Sequence, residues 1–204
     1  PVAGSPLIVR ILRWLVNQGI TSVVINLHHL PETITRCVGH GSDLGIQVRY
    51  SWEPTLLGSA GGPRKALTLL GPRFFIINGD TLTDLNLEDL VAAHDAGGNA
   101  VTLSVTDHPA DTRYGGALVD SHGWVRGFSR RGTRAGSHFV GVQLVEASVF
   151  STLEVGKPAA SIGGLYDEIA QEDSPGIRAH HTAASFREVT TTADYLRVSL
   201  SQAE

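Results

Sequence analysis

The sequence predicts an α/β fold, a mixed but mainly parallel sheet flanked by helices, with a β-rich second half. Three observations carry this. Along residues 1–80, apolar residues recur first with a helical and then with a strand period, and the two alternate. Several strand runs are apolar at nearly every position, as in strands covered on both faces. After about residue 100, short strand patterns follow one another with few residues between them. A chain of 204 residues can bury one sizeable core, and no repeat or low-complexity linker divides it. It reads as a single domain, 1–204, with halves of about 1–100 and 101–204.

Leu7, Ile8, Ile11, Leu12, Leu15 and Val16 lay one apolar stripe along a first helix, which Pro6 opens and Gly19 ends. Thr21-Ser22-Val23-Val24-Ile25-Asn26 is a β-branched run and reads as a strand buried on both faces. A second helix opens at Pro31-Glu32-Thr33-Ile34 and stops at Gly39 and Gly41. Ile46-Gln47-Val48-Arg49-Tyr50 alternates as a second strand. Leu57-Gly58-Ser59-Ala60-Gly61-Gly62 reads as a loop, with Pro63 in the first turn of the helix it delivers. Phe74-Phe75-Ile76-Ile77 is a third buried strand that ends at once in Asn78-Gly79-Asp80. Asp84 reads as a cap or turn residue before a helix at Leu85-Asn86-Leu87-Glu88. Strands follow at 101–105, 116–119, 124–128 and 139–145, with Asp120-Ser121-His122-Gly123 as a hairpin turn. Helices at 147–153 and 165–171, a strand around Ile177 and a last helix at 193–200 complete the pattern.

Composition excludes several classes. Sixteen Lys and Arg against twenty Asp and Glu, scattered along the chain, give a net charge of −4 and no basic stripe, so nucleic acid is not expected as a partner. No apolar run approaches the roughly 18 residues of a membrane span, and no signal peptide opens the chain, so a cytoplasmic protein is expected. The single cysteine, Cys37, excludes a disulfide framework and a cysteine zinc site. The chain has no Met and begins at Pro1, so it is expected to be a fragment, a processed product or the ordered part of something longer. Oligomeric state is left open, with a homo-oligomer among the options.

Asp80 is the sharpest chemical candidate. It lies just beyond the carboxyl end of an apolar strand, where open α/β sheets place ligands, and Gly79 permits close approach. A carboxylate there suits Mg²⁺ shared with phosphates; a turn or N-cap aspartate fits equally well. The glycines at 58, 61 and 62 could offer main-chain N–H groups to an anion or a flat base, or could simply make a turn. They match neither a P-loop nor G-x-G-x-x-G. The nine histidines include two adjacent pairs, His28-His29 and His180-His181, with no metal-ligand spacing, and no G-x-S-x-G elbow is present.

Taken together, Pro1-Val2-Ala3-Gly4-Ser5-Pro6-Leu7-Ile8, Leu57-Gly58-Ser59-Ala60-Gly61-Gly62 and Asn78-Gly79-Asp80 resemble the sugar-1-phosphate nucleotidylyltransferases. The likeness is greatest to mannose-1-phosphate guanylyltransferases and N-acetylmuramate-1-phosphate uridylyltransferases. It covers nearly the whole chain and is strongest over 1–95. It implies a Rossmann-like sheet of the nucleotide-diphospho-sugar transferase type, with a nucleotide-binding first half and a sugar-binding second half. It implies a nucleoside triphosphate and a sugar 1-phosphate as substrates and Mg²⁺ as cofactor. Asp80 would be the catalytic and metal-binding carboxylate, with Glu188 as second metal ligand. Gly58, Ser59, Ala60, Gly61 and Gly79 would meet the nucleotide; Gly116, Arg131 and Gly141, near Tyr114-Gly115-Gly116 and Phe139-Val140-Gly141, would meet the sugar phosphate. The amides after Leu57 and the carboxylate of Asp80 are then expected to share a cleft.

The departures from the family are specific. Its usual opening strand, its G-x-G-x-R loop and the Lys-Pro pair upstream of the segment resembling Pro1 are not in the sequence. Phe186-Arg187-Glu188-Val189-Thr190-Thr191 stands where W-x-D-V-G-T is usual, and Arg130-Arg131 where a Glu-Lys pair is usual. These changes favour a second reading, a catalytically impaired homologue that binds sugar nucleotides for regulation or assembly. In the family the opening strand lies between the strands resembling 23–26 and 74–77. Those two are therefore expected not to pair directly, but to stand about 9–10 Å apart, two strand spacings.

Overall fold

The structure is a computed structural model that describes residues 2, 4–107, 115–133, 135–171 and 176–201. The fold is mixed α/β, and its contacts gather into two compact units, each assembled from separate stretches of chain.

The first unit comprises 1–52, 77–86 and 184–204. Helix α1 (Leu7–Asn17) starts after Pro6 and buries Ile11, Leu12 and Leu15 of the expected stripe together with Val9, while Leu7, Ile8 and Val16 are half-buried. It ends at Gly19, where φ is +79° and the N–H returns to the Val16 carbonyl. Strand β1 (Ser22–Leu27) pairs in parallel with β2 (Gln47–Trp52), Val23 opposite Val48 and Ile25 opposite Tyr50, with α2 (Pro31–Val38) between them in sequence. This is the helix-linked parallel pairing that the alternating periods predict. Two further short strands, β4 (Thr81–Thr83) and β10 (Phe186–Glu188), run antiparallel, and α6 (Thr192–Ser201) follows β10. A reciprocal capping box opens α6: Asp194 accepts the N–H and hydroxyl of Thr191, and Asp194 N–H returns to Thr191 Oγ1.

The second unit comprises 53–76 and 87–183. It holds α3 (Gly58–Ala66), α4 (Leu87–Gly97), α5 (Tyr166–Ile169) and a four-stranded sheet. The strand order is β3 (Arg73–Ile77, whose last residue falls in the first unit), β8 (His138–Glu146), β5 (Val101–Thr106), β9 (Ile177–His181). Strand β5 is central, antiparallel to β8 and parallel to β9; Val101, Leu103 and Val105 are fully buried with Phe150, Tyr166 and Ile177. Gly141, at φ +80°, lies in β8 beside the register shift against β5. Strands β6 (Ala117–Val119) and β7 (Val125–Phe128) form the expected hairpin, its turn held by Asp120 Oδ1 accepting the His122 and Trp124 N–H groups.

Several expectations are corrected. Val23 to Ile25 and the run at 74–77 are half-buried rather than buried on both faces, and among the described residues β1 has only β2 and β3 only β8 as ladder partner. No ladder joins β1 to β3 among the described residues. The glycine stretch is not a loop. Gly58 at φ +75° begins α3 itself, which leaves Pro63 inside the helix. Asp84 caps no helix; α4 begins only at Leu87, and Asp84 instead accepts both the N–H and the hydroxyl of Ser185. Residues 147–153 make a single 3₁₀ turn, Ala147–Phe150. The helix expected over 165–171 is one turn long, since Gly163 and Gly164 hold non-helical backbone just before it. No helix among the described residues is long and apolar enough to cross a membrane.

Candidate functional site

In the first unit, Asn78-Gly79-Asp80 forms a turn closed by the Thr81 N–H on the Asn78 carbonyl at 3.4 Å, and the chain then enters β4. The turn takes Asp80 out of strand alternation and leaves it half-exposed. Strand β10 pairs with β4 so that Glu188 is opposite Thr81, and the Val189 N–H donates to the Asp80 carbonyl at 2.9 Å. The ladder therefore brings the backbone around Asp80 beside that around Glu188, 108 positions further along the chain (188 minus 80). Both residues are half-exposed and both offer hard oxygen donors. No group of three or more His, Cys, Asp and Glu is placed to hold a metal among the described residues, so these carboxylates would act as a pair. That donor set fits Mg²⁺, which keeps several waters and takes its remaining ligands from phosphate oxygens.

In the second unit, the start of α3 is built by close backbone packing. Leu57 N–H donates to Glu53 Oε2 at 2.9 Å, and Glu53 is fully buried. A segment a hundred residues downstream then lies against the turn. Ala159 N–H donates to the Leu57 carbonyl at 2.9 Å, and the Ala159 carbonyl accepts the N–H groups of Ala60 and Gly61 at 3.0 and 3.2 Å. A Cβ on Gly58 would meet the Ala159 oxygen at 2.7 Å, and one on Gly61 the Lys157 oxygen at 2.5 Å. The glycines thus admit neighbouring backbone. Of the expected nucleotide contacts, Ala60 and Gly61 are buried with their N–H groups already used, whereas Gly58 and Ser59 are exposed. Gly79, in the first unit, has open space where its Cβ would stand.

The sugar-side candidates lie in the second unit on separate features. Gly116 is buried, its N–H on Ser129 Oγ at 2.8 Å and its carbonyl accepting the Ser129 N–H. Gly141 is buried at the β8 bulge. Arg131 is exposed in the turn after β7, the same turn that Ser129 ties to Gly116. Tyr114 lies outside the described residues. His28 and His29 are exposed at the end of β1, and neither adjacent pair belongs to a metal-binding group.

One polar group and one backbone segment escaped the sequence reading. Glu53 looks like any surface glutamate; only the Glu-Pro dipeptide before the glycine stretch marks it. The other is the run Pro158-Ala159-Ala160-Ser161, whose small side chains are the signature of a close backbone approach to the glycines.

Three comparisons bear on the site. The family model described as "Nucleotidyl transferase" matches residues 1–139. The catalytic subunit beta of mannose-1-phosphate guanylyltransferase from Drosophila melanogaster is 27% identical over 176 residues, covering 83% of this chain and 47% of that protein. N-acetylmuramate alpha-1-phosphate uridylyltransferase from Neisseria meningitidis serogroup B is 33% identical over 182 residues, covering 86% of this chain and 77% of that protein. The chain spans about half the length, or less, of most of the curated relatives it matches. Among solved structures, HddC from Yersinia pseudotuberculosis complexed with GMP-PN superposes with a TM-score of 0.81 at 19% identity, over 99% of this chain and 88% of that one. UDP-glucose pyrophosphorylase from Acinetobacter baumanii gives 0.78 at 17%, over 98% and 83%. Both structural likenesses bear on the fold.

Proposed function

The chain belongs to the nucleotidyl transferase family, and on that premise we propose that it transfers a nucleotidyl group from a nucleoside triphosphate to a sugar 1-phosphate, giving an NDP-sugar and pyrophosphate. The observation that carries this reading is the pairing of β4 with β10, which sets Glu188 opposite Thr81, the residue that follows Asp80.

A phosphate oxygen of the sugar 1-phosphate attacks the α-phosphorus. The bond from that phosphorus to the oxygen bridging the α and β phosphates breaks, and pyrophosphate leaves with the bonding electrons. No covalent protein intermediate is required, so the protein's contribution is positioning and charge neutralisation. Asp80 and Glu188 would hold Mg²⁺, which when bound offsets the phosphate charge. Gly58 and Ser59 meet the nucleoside, with Ala60 and Gly61 supporting them from below and Gly79 allowing close approach. Gly116, Arg131 and Gly141 serve the sugar phosphate, and the exposed guanidinium of Arg131 supplies positive charge there. The halves of about 1–100 and 101–204 thus divide most of the work between nucleotide and sugar, with Glu188 of the second half as the exception. Both substrates are multiply charged and do not cross membranes unaided, which supports a cytoplasmic site of action.

A second reading rests on Glu188, Thr190 and Arg130-Arg131, which depart from the family pattern: a homologue that binds sugar nucleotides with impaired turnover. Pyrophosphate release, measured with GTP, UTP and dTTP against a panel of sugar 1-phosphates, separates the two. Release that disappears in Asp80→Ala supports the transferase. Sugar-nucleotide binding without release supports the second reading, and no binding of any nucleotide overturns both.

A further inference from the structure

The hydroxyl of Ser59 is held from the far side of the turn by a residue 102 positions away. Ser161 approaches it twice: its main-chain N–H donates to Ser59 Oγ at 2.8 Å, and its own hydroxyl donates to the same atom at 2.9 Å. The direction of the second bond follows from burial. Ser161 is 7% exposed, whereas Ser59 is exposed and can place its proton outside the protein. A serine hydroxyl has two acceptor lone pairs and one proton. Ser161 fills both lone pairs, so the Ser59 O–H has only the outward direction left for its own hydrogen bond. Donors arriving at an oxygen also polarise its O–H and strengthen what it donates.

Ser161 is fixed in turn. It follows Ala159 and Ala160, and Ala159 is bound to Leu57, Ala60 and Gly61 through main-chain hydrogen bonds. Gly156 at φ +79° and Gly163 at φ +83° bracket this stretch, so its path is set by turns on both sides. Nothing in the expected chemistry of the site uses it.

We propose that Ser161 is a positioning residue that locks Ser59 as an outward hydrogen-bond donor to an oxygen acceptor of the bound nucleotide. The inference rests on the transferase reading, in which the start of α3 meets the nucleotide. The acceptor is a base or ribose oxygen or a phosphate oxygen; all three present the same chemistry to a hydroxyl donor.

The test is a double-mutant cycle of Ser59→Ala and Ser161→Ala. It is read by the Kd of whichever of GTP and UTP binds the wild type more tightly, and by steady-state kinetics. Ser59→Ala weakens the nucleotide about fivefold, the worth of one ordinary hydrogen bond. Ser161→Ala, which keeps the main-chain N–H but frees one lone pair, weakens it by about two- to fivefold. The double variant is no weaker than Ser59→Ala. In Ser161→Ala the KM for the nucleotide rises in step with its Kd, while kcat and the KM for the sugar 1-phosphate stay within twofold. A merely structural serine would weaken the nucleotide again in the Ser59→Ala background, and additive losses overturn the proposal. If Ser161→Ala does not fold, Ser59→Ala at its exposed position carries the test alone, and unchanged affinity overturns the proposal. The matching nucleoside, guanosine or uridine, places the acceptor: equal loss with nucleoside and triphosphate puts it on base or ribose, and loss with the triphosphate alone puts it on phosphate. A wild type that turns over while both variants bind as tightly as it does removes this inference alone. A wild type that binds neither nucleotide removes the transferase reading, and this inference with it.

Discussion

Glu188 stands opposite Thr81 across the β4–β10 ladder, and the amide of the next residue, Val189, donates to the Asp80 carbonyl at 2.9 Å. On the proposed function, the register between these strands would set how the two carboxylates share a cation. Glutamate reaches one methylene further than the aspartate usual in the family. Glu188→Asp is expected to keep or raise kcat. Glu188→Gln, which removes the charge and leaves the length, is expected to lower kcat about 100-fold or more. Pyrophosphate release at saturating substrates measures both.

The glycines of the nucleotide side separate into two kinds. Alanine at Gly61 would meet a carbonyl oxygen at 2.5 Å, and alanine at Gly58 would meet one at 2.7 Å with a left-handed backbone besides. Each is expected to destabilise the fold by about 1–3 kcal/mol in urea unfolding. Gly79 has open space, so Gly79→Ala is expected to stay within about 0.5 kcal/mol of wild type. Loss of nucleotide affinity in a fully stable Gly79→Ala protein would then report ligand approach rather than folding.

Acid stability is expected to depend on Glu146. Burial opposes its charged form, but hydrogen bonds from Arg73 and His94 and the Arg73 charge outweigh burial and hold its pKa below the ordinary 4.5. The distances are 2.6 Å to Arg73 Nε and 3.2 Å to His94 Nε2. A carboxyl whose pKa is depressed on folding contributes stability above its unfolded pKa and loses it as pH falls through the folded value. Unfolding free energy should accordingly fall as pH drops below about 4.5, and Glu146→Gln should flatten that fall while lowering stability at neutral pH. Urea titrations at a series of pH values between neutrality and acid decide this.

In the second unit's core, the Tyr166 hydroxyl donates to Gln143 Oε1 at 2.7 Å with both side chains buried. Tyr166→Phe leaves that amide oxygen without its donor and is expected to cost about 1–3 kcal/mol. Changing the partner as well, in Tyr166→Phe with Gln143→Leu, should recover part of the loss. Thermal unfolding of the single and double variants checks both statements.

Local pattern made much of this fold legible. The stripe of α1, the parallel β1–β2 pair, the Asp120 turn and the strand at 139–145 all follow from spacing alone, because each depends on residues close in sequence. What could not be read depends on partners far away. Whether Phe74–Ile77 is buried depends on how many strands flank it. Whether 58–62 is a loop or the start of a helix depends on Ala159, which supplies the acceptor for the Ala60 and Gly61 amides. Asp84 looked like a helix cap because nothing near it in sequence announces Ser185. On the chemical side, Asp80 stood out by its place after an apolar strand. Glu188 came from the family resemblance, and the β4–β10 register sets it opposite Thr81, the residue after Asp80.

The central claim, that Asp80 and Glu188 hold one divalent cation together with the nucleotide phosphates, is tested most directly by electron paramagnetic resonance of Mn²⁺ titrated into the protein with GTP or UTP present. Protein-bound Mn²⁺ is expected in the wild type and is expected to be lost in Asp80→Asn and in Glu188→Gln alike. Equal Mn²⁺ binding in the wild type and both variants would contradict the claim.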